Sequence, residues 1–204
     1  MSLLTHEHLD ALTEIFNVGA GRAASSLSEI VGDEVKLSVP SIEIIKSDEV
    51  DAKLLMQNDA KFGAVSQQFS GPFNADAVLL FSEENTLEIV RDMMGSQMSI
   101  EQLAEFEQEA MCELGNIILN ACLSAIADML GITMDSSLPS YAVESLHNIL
   151  HRIADNSDQP YILLLHIDLA IEKRHTAGHL IFLLSSTSLS NLVAQIQRFI
   201  DGMR

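Results

Sequence analysis

The sequence predicts an α+β fold: an internally duplicated, pseudo-twofold domain in which helices cover a largely antiparallel sheet. Three observations predict it. The second half of the chain resembles the first, each half opens with a long amphipathic helix pattern, and neighbouring strand patterns are separated by short turns. We therefore expect a single domain over residues 1–204, made of two repeats at about 1–98 and 99–204. Its two long helices should be equivalent and should carry the site.

The repeat is an ungapped match that lays the segment starting at Asp10 over the segment starting at Glu109, a displacement of 99 residues. The identical pairs include Glu14 and Glu113, Asn17 and Asn116, Ser25 and Ser124, Gly32 and Gly131, Pro40 and Pro139, and Ser41 and Ser140. A later strand and helix pattern starting at Asp76 also resembles one starting at Gly178. The boundary is expected between Gly95 and Ile100, and so short a junction favours one compact domain.

The first helix pattern ends at Gly32, which supplies the left-handed residue that commonly closes a helix. Its apolar residues recur at intervals of three and four and should face the core: Leu9, Leu12, Phe16, Ala20, Ala23, Leu27 and Ile30. The segment EVKLSV after the glycine reads as a strand. The second helix is predicted from about Ile100 to Leu130, closed by Gly131. Its inward residues should be Met111, Leu114, Ile118, Cys122 and Ile126.

The remaining elements follow from shorter patterns. Strands are predicted at 62–71, 76–82, 160–171 and 177–185, and helices near 84–94, 142–154 and 187–200. Because the last two strands are joined by a short turn, they should form a hairpin. A nucleotide-binding parallel sheet is therefore disfavoured.

Composition excludes several classes of function. A formal charge of −18, from 29 acidic and 11 basic residues, would repel nucleic acid and anionic lipid headgroups. Cys112 and Cys122 are ten residues apart on one helix pattern, too far to form a disulfide, and read as reduced thiols. The N-terminus has no basic start followed by an apolar run, and no stretch approaches the apolar length that spans a bilayer. We expect a cytoplasmic protein that binds neither nucleic acid nor membrane.

Each long helix presents a carboxylate and an amide on the face opposite its apolar stripe. These polar faces carry Asp10, Glu14, Asn17 and Gly21 on the first helix, and Glu109, Glu113, Asn116 and Asn120 on the second. Surface glutamates are ordinary, but asparagine within a helix costs roughly 0.5 kcal/mol relative to alanine, so its presence in both copies suggests a use. An amide carries a donor and an acceptor, and it can therefore hold a water molecule against a phosphorus atom without acting as a base.

The spacing Asp10-x3-Glu14-x2-Asn17-x22-Pro40, repeated as Glu109-x3-Glu113-x2-Asn116-x22-Pro139, resembles the doubled signature of the CheC/CheX/FliY phosphatase family. The resemblance spans essentially the whole chain and is closest to stand-alone CheC proteins. A fixed gap of 22 residues that occurs twice is far more specific than either half alone.

The resemblance implies that the chain hydrolyses the aspartyl phosphate of a CheY-type response regulator, as a step of chemotaxis signal termination. It implies that Asn17 and Asn116 orient the attacking water, and that Glu14 and Glu113 contact a lysine of the phosphorylated partner. No cofactor of its own is expected, since Mg²⁺ would sit in the partner's phosphorylation pocket. The outer motif positions, Asp10, Glu109, Pro40 and Pro139, would support the sites, although Glu109 departs from the family's usual Asp or Ser.

Other chemistries fit less well. Gly19-Ala20-Gly21 follows no strand and reads as close helix packing rather than as a phosphate loop. His147 and His151 lack the carboxylate of a zinc-protease motif, so no metal site is assigned. No Gly-x-Ser-x-Gly elbow is present, which disfavours covalent catalysis. The alternative is a non-catalytic binding module, either for a response regulator, like the related FliM middle domain, or for the receptor deamidase CheD, which CheC-type proteins bind.

Overall fold

The computed structural model describes residues 4–46, 60–94, 99–149, 161–171 and 174–203. The helices are α1 (His6–Val31), α2 (Glu83–Met94), α3 (Ile100–Leu130) and α4 (Ser186–Met203). The strands are β1 (Val35–Lys46), β2 (Lys61–Ser70), β3 (Ala75–Ser82), β4 (Asp135–Ser136), β5 (Ser140–Ser145), β6 (Tyr161–Ile171) and β7 (Arg174–Leu184). A helical turn over 146–149 follows β5.

The two long helices begin and end in the same way. Thr5 and Ser99 accept a hydrogen bond from the backbone N–H three residues on, and the side chains of His8 and Gln102 return to the capping residue, so each helix opens with a capping box. Gly32 and Gly131 close the helices with φ angles of 76° and 63°. These ends confirm the two predicted glycine stops.

All strand pairs in the sheet are antiparallel, in the order β1-β6-β7-β3-β2, with β4 and β5 both pairing the outer edge of β2. The order is symmetric about the central β3–β7 pair. The order helix, three strands, helix also occurs twice along the chain, if β4 and β5 are counted as one interrupted strand. The antiparallel sheet flanked by helices confirms the predicted fold class, and the symmetry supports the two-repeat division, which stays a prediction.

The larger core lies between the sheet and helices α1, α3 and α4. Alternate residues of β6 and β7, such as Leu163 and Phe182, face these helices, while their neighbours Leu164 and Ile181 form a second apolar cluster on the other face. The long helices approach closely where Gly19 lies against Cys122: a Cβ added to the glycine would be 2.7 Å from the Cα of Cys122. This supports the predicted close packing at Gly19, whereas a Cβ added to Gly21 would meet no atom within 4 Å.

Three predictions about the elements need correction. Residues 140–145 form β5, so the helix predicted at 142–154 is wrong at its start, and 150–154 lie outside the described residues. Ile30 belongs to the predicted core stripe but is exposed. The predicted correspondence of Asp76 with Gly178 aligns Leu79 with Ile181, but these two side chains face opposite sides of the sheet. A displacement of 103 residues instead aligns Leu79 with Phe182, whose side chain faces the same side as Leu79.

One helix is more apolar than we predict from the sequence. Within α3, Glu101–Leu130 is long and apolar enough to cross a bilayer by length and composition, and 56% of its most apolar 18-residue window is buried inside the fold. The expectation that no stretch reaches this apolar length was therefore wrong. The buried side chains of the helix include all five predicted inward residues, which pack in the larger core.

Candidate functional site

The two long helices place the predicted polar residues on their outer faces. Asp10, Glu14 and Asn17 are exposed on α1, and Glu109 and Glu113 are exposed on α3. Asn116 and Asn120 are half-buried, because the chain between α3 and β5 passes beside them. The structure therefore confirms the position of both polar faces, while the catalytic role of their residues stays a prediction.

In the first site, the Asn17 side chain is bound to the backbone of Val39. Its Oδ1 accepts from the Val39 N–H at 2.9 Å, and its Nδ2 donates to the Val39 carbonyl at 3.1 Å and to the Thr13 carbonyl at 2.9 Å. Both donors of the amide and one lone pair of its oxygen are thus occupied. One acceptor position on Oδ1 is left for a water molecule.

This contact gives a physical reason for the 22-residue gap in the first motif copy. Val39 is 22 residues after Asn17 and immediately before Pro40, and the pairing of β1 with β6 shifts register between Ser38 and Ser41. Pro40 has no N–H to give to a sheet, so it suits such an irregularity. Val39 is only 2% exposed, and the asparagine satisfies backbone groups that the bulge leaves without strand partners.

The carboxylates of the first site are open to solvent. Asp10 Oδ1 lies 3.5 Å from Nδ1 of His6, one helical turn earlier, and both side chains are largely exposed. Glu14 makes no hydrogen bond or ion pair with the rest of the described chain. An exposed, unpaired carboxylate one turn from Asn17 is free to pair with a cationic side chain of a docked protein.

The second site is an open cavity of about 610 Å³ rather than a closed contact. The cavity is lined by Glu109, Glu113, Asn116 and Pro139 of the motif, and by apolar or weakly polar neighbours: Ile30, Met93, Met94, Phe106, Ala110, Cys112 and Leu138. The structure thus brings all four residues of the second motif copy around one cavity. Leu138 at its rim is 89% exposed.

Asn116 is held by other amides and not by the backbone before its proline. Its Oδ1 accepts from Nδ2 of Asn120 at 2.7 Å, and its own Nδ2 has no hydrogen-bond partner in the described part of the chain. The Oδ1 of Asn120 in turn lies 3.5 Å from Nε2 of Gln67, which also donates to the Ser137 carbonyl at 2.7 Å. The amide of Asn116 therefore keeps two donors and one acceptor position for the cavity.

Sequence reasoning missed Gln67. The residue lies on β2 between Val65 and Phe69, whose side chains face the helices, and alternation within KFGAVSQQFS puts Gln67 on that same buried face. A long amide at a core position of a strand is unusual, and this was the available signal.

The two thiols have environments unsuited to nucleophilic chemistry. Burial raises the pKa of Cys122 to about 12, and burial also raises the pKa of Cys112, which lines the cavity. Both are free cysteines. A neutral thiol is a poor nucleophile, so neither cysteine is suited to attack a substrate.

Tyr141 anchors the start of β5 against α3, two residues after Pro139. Its hydroxyl donates a hydrogen bond to the carboxylate of Glu107, and burial together with that carboxylate raises the pKa of the tyrosine. The phenol therefore stays protonated and keeps donating throughout the neutral range. This contact holds the chain beside the cavity close to the helix that carries Glu113 and Asn116.

His8 and His147 lie apart from both sites. His8 is buried in the capping box of α1, where its Nε2 is 2.9 Å from Oε1 of Gln197. His147 is exposed on the helical turn after β5, and His151 lies outside the described residues. Within the described ranges, no group of three or more His, Cys, Asp or Glu side chains is placed to hold a metal ion.

Comparison with known proteins identifies relatives of the chain. The model of the CheC-like family matches residues 7–44, the segment that contains the first copy of the motif. The CheY-P phosphatase CheC of Bacillus subtilis (strain 168) is 24% identical over 144 residues, which cover 69% of this chain and 68% of that protein.

The fold is also found in solved structures. The crystal structure of Thermotoga maritima FliY matches with a TM-score of 0.79 at 21% identity, over 98% of this chain and all of that one. The FliM middle domain of H. pylori matches with a TM-score of 0.61 at 14% identity, over 94% of this chain and 99% of that one. The family-model match, the CheC relative and the shared fold all support a likeness of the chain to the CheC/CheX/FliY family.

Proposed function

We propose that the chain is a phosphatase that hydrolyses the aspartyl phosphate of a CheY-type response regulator and so ends a chemotaxis signal. The name of its relative in Bacillus subtilis, CheY-P phosphatase CheC, supports this substrate. The observation that carries the proposal is the second site: Glu113 and Asn116 line one open cavity, and the amide of Asn116 keeps unused donors toward it.

The reaction needs little covalent chemistry from the phosphatase. A water oxygen attacks phosphorus, the bond between phosphorus and the aspartyl oxygen breaks, and the carboxylate leaves while the water proton passes to phosphate or solvent. Asn116, and Asn17 through its remaining acceptor position, would hold the water in line. An amide cannot take the proton, so its contribution is positioning. The Mg²⁺ that balances phosphate charge is expected in the partner's own acidic pocket.

The acidic residues beside the amides suit a cationic partner group. Glu14 and Glu113 are exposed and have no ion-pair partner among the described residues, so neither carboxylate must break a contact to bind a lysine. The apolar rim beside Glu113, with Leu138, Met94 and Ile30 exposed, offers area for burial against a docked protein. Charge would align the partner and apolar burial would hold it.

The second candidate is a binding module without catalysis, for a response regulator or for CheD. The match to the FliM middle domain of H. pylori shows that this fold also occurs in FliM. The hydrogen bonds of Asn17 to Val39 also give the first asparagine a structural reason to exist. For the chain as a whole, the phosphatase proposal accounts for more, because such contacts do not explain the open amide of Asn116.

The experiment that separates the two candidates measures phosphate loss from a phosphorylated CheY-type receiver with Mg²⁺. It compares the native chain with the double variant Glu14→Ala, Glu113→Ala, in which two exposed carboxylates are removed without disturbing a described contact. Acceleration by the native chain that is lost in the variant supports the phosphatase. Binding of the receiver without any acceleration would favour the binding module. We also propose a cytoplasmic location, on the same ground as the CheY-type partner, namely the likeness to CheC of Bacillus subtilis.

A further inference from the structure

The second site contains a chain of three side-chain amides that starts in the core and ends at the cavity. Gln67 on β2 is 2% exposed, Asn120 and Asn116 lie on α3, and the contacts run from Gln67 to Asn120 at 3.5 Å and from Asn120 to Asn116 at 2.7 Å. The inner end is fixed by the Ser137 carbonyl, to which Gln67 donates at 2.7 Å. Ser137 lies two residues before Pro139, so the chain of amides connects the two parts of the motif, Asn116 and Pro139.

The Ser137 carbonyl determines the orientation of every amide in the chain. A carbonyl can only accept, so Gln67 must turn its NH₂ group toward it. The same NH₂ group faces Asn120, which therefore presents its oxygen inward and its NH₂ group to Asn116. Asn116 must then present its oxygen to Asn120 and its NH₂ group to the cavity. A backbone group in the strand layer thus sets which end of the asparagine meets a ligand.

A close contact between α3 and β2 makes the chain of amides possible. A Cβ added to Gly115 would lie 2.4 Å from Cγ1 of Val65, so α3 approaches β2 at a position where no side chain fits. Glycine within a helix is unfavourable, and here it allows the approach that brings Asn120 over Gln67. Gly115 directly precedes Asn116, so the same contact fixes the backbone that carries the asparagine.

Gln67 is a poor choice for stability alone. Its Oε1 is buried and has no hydrogen-bond partner among the described residues, which is an unfavourable state for a polar atom. The first site avoids this problem. Gln67 on β2 pairs with Ala77 on β3. The displacement of 103 residues, which matches the strand faces, places Ala77 on Leu180, and Leu180 pairs with Leu165. Leu165 is therefore the counterpart of Gln67. Gly21 takes the place of Asn120, so the first site has no amide chain.

We propose that Asn120 and Gln67 are positioning residues of the second site, which hold the amide of Asn116 with its NH₂ group toward the docked phosphoryl group and water. The inference rests on the proposed function and deepens it. The role belongs to the second site alone, because Asn17 is held by the Val39 backbone instead.

The test uses a Glu14→Ala chain, in which only the second site keeps its docking carboxylate. Into it are introduced Asn120→Ala or Gln67→Leu, and Gln68→Leu serves as the control, since Gln68 is exposed on the same strand and bonds Asp76 instead. For the two positioning variants we expect kcat for receiver dephosphorylation to fall about tenfold with KM within about twofold. The control should keep the parent values.

A merely structural role would give a different pattern. Gln67→Leu places an apolar residue at the position that Leu165 occupies in the first site, so the variant should be at least as resistant to urea as its parent while losing activity. Unchanged kcat in both Gln67→Leu and Asn120→Ala would overturn the inference. If the Glu14→Ala parent itself has no activity, the proposed function fails at this site, and the inference is then judged by NMR.

The NMR measurement needs no substrate. Three-bond couplings across χ1 of Asn116 should report a single rotamer in the native chain and averaged rotamers in Asn120→Ala. A single rotamer in both chains, or averaging already in the native chain, would show that Asn120 does not position the asparagine.

Discussion

Val39 and Leu138 occupy the same place in the two copies of the motif, one residue before the proline, yet their surroundings are opposite. Val39 is 2% exposed and its backbone is bound by Asn17, whereas Leu138 is 89% exposed and Asn116 bonds to Asn120 instead. In the first copy the asparagine is hydrogen-bonded to the strand backbone, and in the second copy it lines an open cavity. The same spacing in sequence therefore produces two different sites.

The difference separates two uses of one residue type. In the first copy, the amide satisfies a buried backbone at a β-bulge, and its free capacity is a single acceptor position. In the second copy, Gln67 binds the backbone of Ser137 and Asn120 binds Asn116, so the amide donors of Asn116 stay available for a ligand. We therefore expect the first copy to matter more for stability and the second for catalysis.

A large loss of stability is expected from Asn17→Ala. It leaves the buried N–H and carbonyl of Val39 without their partner, and an unsatisfied buried group costs about 1–3 kcal/mol, so we expect a loss of about 2 kcal/mol in the free energy of unfolding. Asn116→Ala should change it by less than about 0.5 kcal/mol, because alanine favours a helix. Urea denaturation of both variants measures the contrast, and equal losses would refute it.

Two glycines of the site helices provide the next contrast. Gly115→Ala forces a methyl group against Val65 and should destabilise the fold by about 1–3 kcal/mol. A Cβ added to Gly21 meets no atom within 4 Å, so Gly21→Ala should be neutral or stabilise by up to about 1 kcal/mol. Thermal unfolding of the pair checks the expectation. A stable Gly115→Ala chain would mean that α3 and β2 are less closely packed than the structure places them.

The apolar rim predicts a smaller effect, on binding alone. Leu138→Ser removes exposed apolar area beside the second site, and losing about 1 kcal/mol of burial on docking should raise KM for the phosphorylated receiver about fivefold with kcat unchanged. Met203→Ser is the matched control, since Met203 is also highly exposed, at 67%, but does not line this cavity. An equal effect of both substitutions would remove the rim from the docking surface.

The smallest effect is expected from the ion pair that joins the two site helices. Arg22 lies 2.7 Å from Asp128, but both side chains are substantially exposed to solvent, which screens their attraction. Arg22→Ala should therefore lower stability by less than about 0.5 kcal/mol and should alter neither site. A larger loss in the free energy of unfolding, measured by urea denaturation, would mean that this ion pair contributes substantially to the packing of α1 against α3.

Much of this arrangement could be predicted from periodicity and chain repetition. The ends of α3 agree with the prediction because Gly131 and the apolar interval of three to four residues are local signals. The polar faces with Glu14 and Glu113 followed from helix geometry. The start of the helix predicted at 142–154 failed because the pairing of β5 with β2 is a long-range contact that overrides local preference.

The difference between the sites could not be predicted. Nothing local to Asn17 or Asn116 says whether the chain 22 residues later returns to meet it, because that depends on how β1 and β5 join the sheet. Gln67 comes from a different part of the chain, and its contact with Asn120 follows from the approach at Gly115. A repeated motif predicted two sites but not their separate construction.

The most direct test measures the rate of phosphate loss from a phosphorylated CheY-type receiver with Mg²⁺, for Asn17→Ala and Asn116→Ala under conditions where both chains are folded. We expect Asn116→Ala to lose about tenfold or more of the native acceleration, while Asn17→Ala keeps at least about half of it. The reverse order, or acceleration that survives loss of both asparagines, would contradict it.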